Sequence, residues 1–145
     1  YHTIILEDEL TGVYIQSVRS AMQGLDFLLN NGAYAGLPKP GIIFLDINMP
    51  GMNGWDFLIK YQALSGDILE RSIVVILSTS FNPDDLERAA QIPAVKEFVR
   101  KPLTAETYWR VVDERRNPFV AQIKKELRSK PSKYYMGSLH SFRII

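Results

Sequence analysis

Apolar positions along the chain fall into short blocks with two different periods. In Ile42–Leu45 and Ile73–Leu77 every residue is apolar, and both runs are too short for a core helix. Such runs suit central strands of a parallel sheet covered by helices on both faces. Val95–Arg100 reads as a further strand, as does Val13–Val18, which is rich in β-branched and aromatic types. Between these blocks the spacing becomes helical. Leu25, Leu28 and Leu29 mark a helix over Ala21–Asn30, closed by Asn30-Asn31-Gly32. Trp55, Leu58 and Ile59 mark one side of a helix after the loop Met49–Gly54. Asn82 is placed to cap the next helix, Pro83 suits its first position, and Asp84 and Asp85 favour its positive end. Thr104 opens a longer helix to about Arg116; Asn117-Pro118 should break it, and Phe119–Arg128 resumes it.

Strands alternating with helices at this spacing imply βαβ units and a parallel sheet. Ligands of such sheets gather at the carboxyl ends of the strands. Here those ends carry Asp46, Ser78 and Lys101.

Composition narrows the chemistry. The 145 residues suit one domain, and 46% hydrophobic with 23% charged residues is a globular mixture. Cysteine is absent, which excludes a disulfide scaffold, thiolate metal ligands and thiol nucleophiles. His2 and His140 stand at opposite ends, so a histidine-rich metal site is excluded too. No apolar run approaches the ~20 residues of a membrane span and no signal peptide is apparent, so a cytoplasmic protein is expected. Net charge is +1 but uneven: residues 1–112 carry 9 basic and 13 acidic side chains, residues 113–145 carry 8 and 3. The basic end reads as a solvated helix face and tail, too short for a usual DNA-reading domain.

An acid, a hydroxyl and an ammonium at one sheet edge make a candidate phosphoryl site. The carboxylate can attack phosphorus to give an acyl phosphate. Lys101 can hold phosphoryl oxygens as a point charge and Ser78 can donate a hydrogen bond. Mg²⁺ is the natural cation to offset the charge that develops. Each residue alone has a plainer role, as a cap, a turn residue or a surface lysine; the triple is more specific than any member.

The segments Ile42-Ile-Phe-Leu-Asp-Ile-Asn-Met-Pro-Gly-Met-Asn-Gly54, Ile76-Leu-Ser78 and Phe98-Val-Arg-Lys-Pro102 resemble a response-regulator receiver domain of bacterial two-component signalling. The resemblance spans residues 1 to about 116, leaving 117–145 as a basic helix and tail. It implies a flavodoxin-like, doubly wound α/β fold with five parallel strands and helices on both faces. It also implies that Asp46 is the phosphoacceptor and, with the Asn48 carbonyl, a ligand of Mg²⁺. Ser78 stands at the family's hydroxyl position, with Thr79 as the alternative register, and Lys101 at its lysine. Lys101-Pro102 would be a cis peptide, Phe98 the switch aromatic, and Asn48, Thr79 and Ser80 lie where receivers tune phosphate loss. A sensor histidine kinase or phosphotransfer protein would donate the phosphoryl group, and a separate downstream protein would read the switch. The chemistry would be the domain's own acceptance and loss of phosphate, not turnover of a substrate.

One part departs from that pattern. Receivers begin with an apolar strand ending in metal-holding acids. Thr3–Glu9 could be that strand, with Glu7, Asp8 and Glu9 as the acids, but then the first helix is missing. Alternatively Tyr1–Leu10 is the first helix, which keeps the later spacing and is the favoured reading. The first strand would then be either missing from this sequence, with residues 141–145 a plain tail, or supplied by Ser141–Ile145, expected parallel beside Ile42–Leu45 with the acids following Ile145 and outside this sequence. Two rivals remain: a degenerate receiver acting as a phosphorylation-independent interaction module, and a hydrolase with an aspartyl intermediate. The second would want another acid soon after the nucleophile, and Ile47-Asn48-Met49-Pro50 supplies none.

Overall fold

A computed structural model describes residues 16–119. They divide into a compact unit ending at Thr104 and a second that begins at Ala105. The first holds helix α1 (Ala21–Leu28), a 3-10 turn (Gly32–Tyr34), strand β1 (Ile42–Asp46), helices α2 (Gly54–Gln62) and α3 (Gly66–Arg71), strand β2 (Ile73–Ser78), helix α4 (Pro83–Ala90) and strand β3 (Val95–Arg100). The second contains α5 (Ala105–Arg116), which stops at the expected Asn117 break.

Among the described residues the sheet has three parallel strands in the order β1-β2-β3. Val74, Val75 and Ile76 of the middle strand are fully buried, as an all-apolar run requires. Leu45, Ile47, Val74 and Ile76 share one core with Leu25, Leu28, Phe57, Leu58, Tyr61, Ile68 and Ala89 from α1 to α4. Burial pushes the Tyr61 phenol above its ordinary range. The Ser72 hydroxyl donates to the Pro40 carbonyl at 2.7 Å, tying the entry of β2 to the loop before β1.

Helix starts follow the expected chemistry. The Ser20 and Asn82 side chains cap α1 and α4 by accepting from Gln23 N–H and Asp84 N–H. The α1 helix stops at Leu28, two residues early, where Asn30 takes φ 55° and begins the reversal into the loop.

Some expectations are corrected. Leu29 lies past the end of α1 and is exposed; Phe27 is buried in its place. On α2, Ile59 is 59% exposed, and the buried face is Gly54, Phe57, Leu58 and Tyr61. That face keeps i, i+3, i+4, i+7 spacing, and Ile59 falls about 100° away from Leu58. Helix α3 was not expected; it spans six residues and buries only Ile68. Of the expected strand Val13–Val18, only Gln16–Val18 are described, and they carry no sheet ladder. Phe119–Arg128 lies outside the described residues but for its first residue.

Candidate functional site

Three strand ends build the site. Asp46 is the last residue of β1 and pairs with Leu77; Ser78 is the last of β2 and pairs with Arg100. The ladder runs one step further on each side, with Ile47 N–H on the Leu77 carbonyl at 3.4 Å and Lys101 N–H on the Ser78 carbonyl at 2.8 Å. Parallel pairing therefore delivers Asp46, Ser78 and Lys101 to one edge. Lys101 Nζ forms an ion pair with Asp46 Oδ2. Asn48 N–H donates to Asp46 Oδ1 at 2.8 Å, so each carboxylate oxygen has its own donor. The Asp46 side chain is 21% exposed, sheltered yet open to a small donor molecule.

Ser78 is buried, and its Oγ accepts from Ser80 N–H at 3.2 Å. Because a backbone N–H can only donate there, the hydroxyl proton stays available for another acceptor. Thr79 and Ser80 are exposed beside it. Phe98 is half-buried against the core and touches Phe81, and Lys101-Pro102 is a cis peptide. Asp46 and Asn48 offer a carboxylate and a main-chain carbonyl, hard oxygen donors that suit Mg²⁺. Among the described residues no group of three or more acids or histidines gathers to hold a metal. Glu7, Asp8, Glu9 and Ser141–Ile145 lie outside those residues.

The loop between β1 and α2 is built to hold Asp46 still. Pro50-Gly51 has the residue order of a type II turn, and Gly51 takes φ 78°, where side chains are strained. Asn53 Oδ1 accepts from Asp56 N–H at 2.9 Å while Asp56 Oδ2 accepts from Asn53 N–H at 3.4 Å, a reciprocal cap for α2. Gly54 N–H donates to the Ile47 carbonyl at 3.2 Å. A Cβ on Gly54 would lie 2.6 Å from Ile47 Cα and 2.9 Å from the Asp46 carbonyl oxygen, so only glycine lets α2 start this close.

A family model described as the response regulator receiver domain matches residues 3–113. The chain belongs to that family. The receiver is 35% identical over 69 residues to response regulator Rcp1 of Synechocystis, a match covering 48% of this chain and 46% of that protein. It thus spans about half the length of that curated relative. A two-component response regulator from Cytophaga hutchinsonii superposes with TM-score 0.63 at 35% identity, covering 72% of this chain and 77% of that one. The phosphorylated cyanobacterial phytochrome response regulator RcpA superposes with TM-score 0.60 at 25% identity, covering 78% and 79%. These likenesses establish the doubly wound, flavodoxin-like receiver fold, of which three parallel strands lie in the described residues.

Sequence reasoning gave no individual role to four residues of the receiver's site region, three of them inside the quoted motifs. Asn53 and Gly54 carried a readable signal, an Asx residue three before an acid at a helix start. Phe81 and Arg100 carried none, because their contact depends on the β2–β3 register. No helix among the described residues is long and apolar enough to cross a membrane.

Proposed function

We propose that this receiver takes a phosphoryl group on Asp46 from the phosphohistidine of a sensor histidine kinase or phosphotransfer protein. A carboxylate oxygen attacks phosphorus, the P–N bond breaks, and its electron pair stays on the imidazole nitrogen. Lys101 moves from the carboxylate to a phosphoryl oxygen, and Ser78 donates its free hydroxyl proton to another. Asp46 and the Asn48 carbonyl would hold Mg²⁺, which when bound offsets charge on the phosphoryl oxygens. The single observation that carries the reading is the Asp46 carboxylate clasped between Lys101 and the Asn48 N–H at the shared strand edge.

The product is a signal. Movement of Ser78 toward phosphate frees space for Phe98, and a downstream protein reads the changed surface. Thr79, Ser80 and Asn48 border the acyl phosphate and tune its loss. In this reading residues 1–116 are the receiver, 117–145 a basic appendage, the protein works in the cytoplasm, and its only chemistry is gain and loss of its own phosphate.

The test is intact-mass analysis after incubation with acetyl phosphate and Mg²⁺. One base-labile adduct is expected in the wild type and none in Asp46→Asn. An adduct that persists in Asp46→Asn at the wild-type rate sinks the assignment. A wild type that accepts no phosphate from small donors or kinase makes the chain a phosphorylation-independent interaction module instead.

A further inference from the structure

Phe81 links the loop after β2 to β3, and the phosphoryl chemistry leaves it unused. Its ring centroid lies 5.5 Å from that of Phe98, with the planes tilted by 43°. The Arg100 guanidinium stands over the same ring, 4.9 Å from the centroid. Phe98 and Arg100 are alternate residues of β3 and project from one face. Arg100 is the ladder partner of Ser78 and the residue before Lys101. Ser80 N–H holds Ser78 Oγ, so the segment from Ser78 to Phe81 is tied to its own hydroxyl.

We propose that Arg100 is a positioning residue: it holds Phe81 against Phe98 and thereby restrains the Ser78–Phe81 segment against the shift that phosphorylation requires. This rests on the reading of Asp46 as phosphoacceptor. When Ser78 turns to a phosphoryl oxygen, Ser80 and Phe81 travel with it, and the Phe81 ring must leave the guanidinium. Arg100 thus opposes the switched state by the strength of one cation–π contact. Phe81 is 39% exposed and Arg100 is exposed, which puts the contact at the weaker end of its kind. Its loss should favour the switched state about two- to five-fold.

The experiment titrates beryllofluoride, a phosphoryl mimic, with Mg²⁺ onto the full chain and follows the Ser80 and Phe81 amide signals by NMR. Arg100→Gln and Phe81→Leu should each tighten apparent affinity about two- to five-fold. Arg100→Lys, which keeps a cation over the ring, should bind as the wild type does. A purely structural role would lower thermal stability without tightening affinity. Wild-type or weaker affinity in Arg100→Gln, with normal binding by the wild type, overturns the clamp. A wild type that binds no mimic removes the phosphoacceptor reading itself, and the clamp with it.

Discussion

Gly54→Ala is the sharpest probe of how the fold supports Asp46. The added methyl would meet Ile47 Cα at 2.6 Å, the Asp46 carbonyl oxygen at 2.9 Å and Ile47 Cγ2 at 3.0 Å. Two of these are backbone atoms that cannot rotate away. Restoring ordinary contact at ~3.5 Å requires α2 and the β1–α2 loop to part by roughly 0.9 Å. That separation stretches the Gly54 N–H to Ile47 carbonyl bond, now 3.2 Å, beyond hydrogen-bonding range. Overpacking of this kind costs about 1–3 kcal/mol. The ordinary gain from replacing a helical glycine offsets about 0.4–1 kcal/mol. The net expectation is a loss of about 1–2 kcal/mol, or about 4–8 °C in Tm for a domain of this size. Urea unfolding gives the first number and calorimetry the second.

Gly66 supplies the control, because it too lies in the first turn of a helix and a Cβ there meets nothing within 4 Å. Gly66→Ala should stabilise by about 0.4–1 kcal/mol. The same chemical change should therefore move stability in opposite directions at the two sites. If Gly54→Ala is as stable as the wild type, or both variants shift alike, close approach is not what the glycine provides. Displacement of Asp46 should also slow acetyl phosphate uptake by about ten- to a hundred-fold in Gly54→Ala.

Other outcomes follow from single contacts. Asn53→Ala removes one half of the reciprocal cap and should cost about 1 kcal/mol in urea unfolding, because Asp56 N–H loses its acceptor while the main-chain N–H at position 53 still donates to Asp56 Oδ2. Asp67 is held below its ordinary 3.8 first by the Ser65 hydroxyl, then by Lys39. A lowered carboxyl pKa stabilises above the unfolded value and loses that effect as pH falls through the folded one, so the window lies at and below 3.8. Ser65→Ala should raise the Asp67 midpoint toward 3.8 in an NMR titration, and an unmoved midpoint would refute the hydroxyl as the cause.

What could be read from the sequence was set by how local the cause is. The runs Ile42–Leu45 and Ile73–Leu77 announced strands; β2 is buried along most of its length while β1 is half-buried except at Leu45, and each extends one residue further to a chemistry-bearing side chain, Asp46 or Ser78. Helix α3 was unreadable because a six-residue helix with one buried side chain has no period to detect. On α2 the stripe through Trp55, Leu58 and Ile59 was as regular as the true one. The core took Phe57 and Tyr61, whose aromatic bodies fill more space, and left Ile59 to solvent. Trp55 packs half-buried against the core and lies under the Arg88 guanidinium at 4.5 Å.

The candidate site divides the same way. Topology alone brings Asp46, Ser78 and Lys101 together, since parallel strands share a carboxyl edge, so three strand ends sufficed to propose them. The density of the motif around Asp46 has a more local origin. Between Asp46 and Gly54 the chain must leave a strand, reverse and start a helix without lifting the carboxylate from Lys101. Asn48 gives the N–H on Asp46 Oδ1, Gly51 takes the reversal at positive φ, Asn53 closes the helix end, and Gly54 allows that end to rest on the Ile47 backbone. Gly51, Asn53 and Gly54 each answer a separate constraint by residue type, whereas the N–H at position 48 is main-chain and any residue but proline supplies it. In its proposed role as phosphoacceptor Asp46 gains from this rigidity, because a phosphoryl donor needs the oxygen already in place when it arrives.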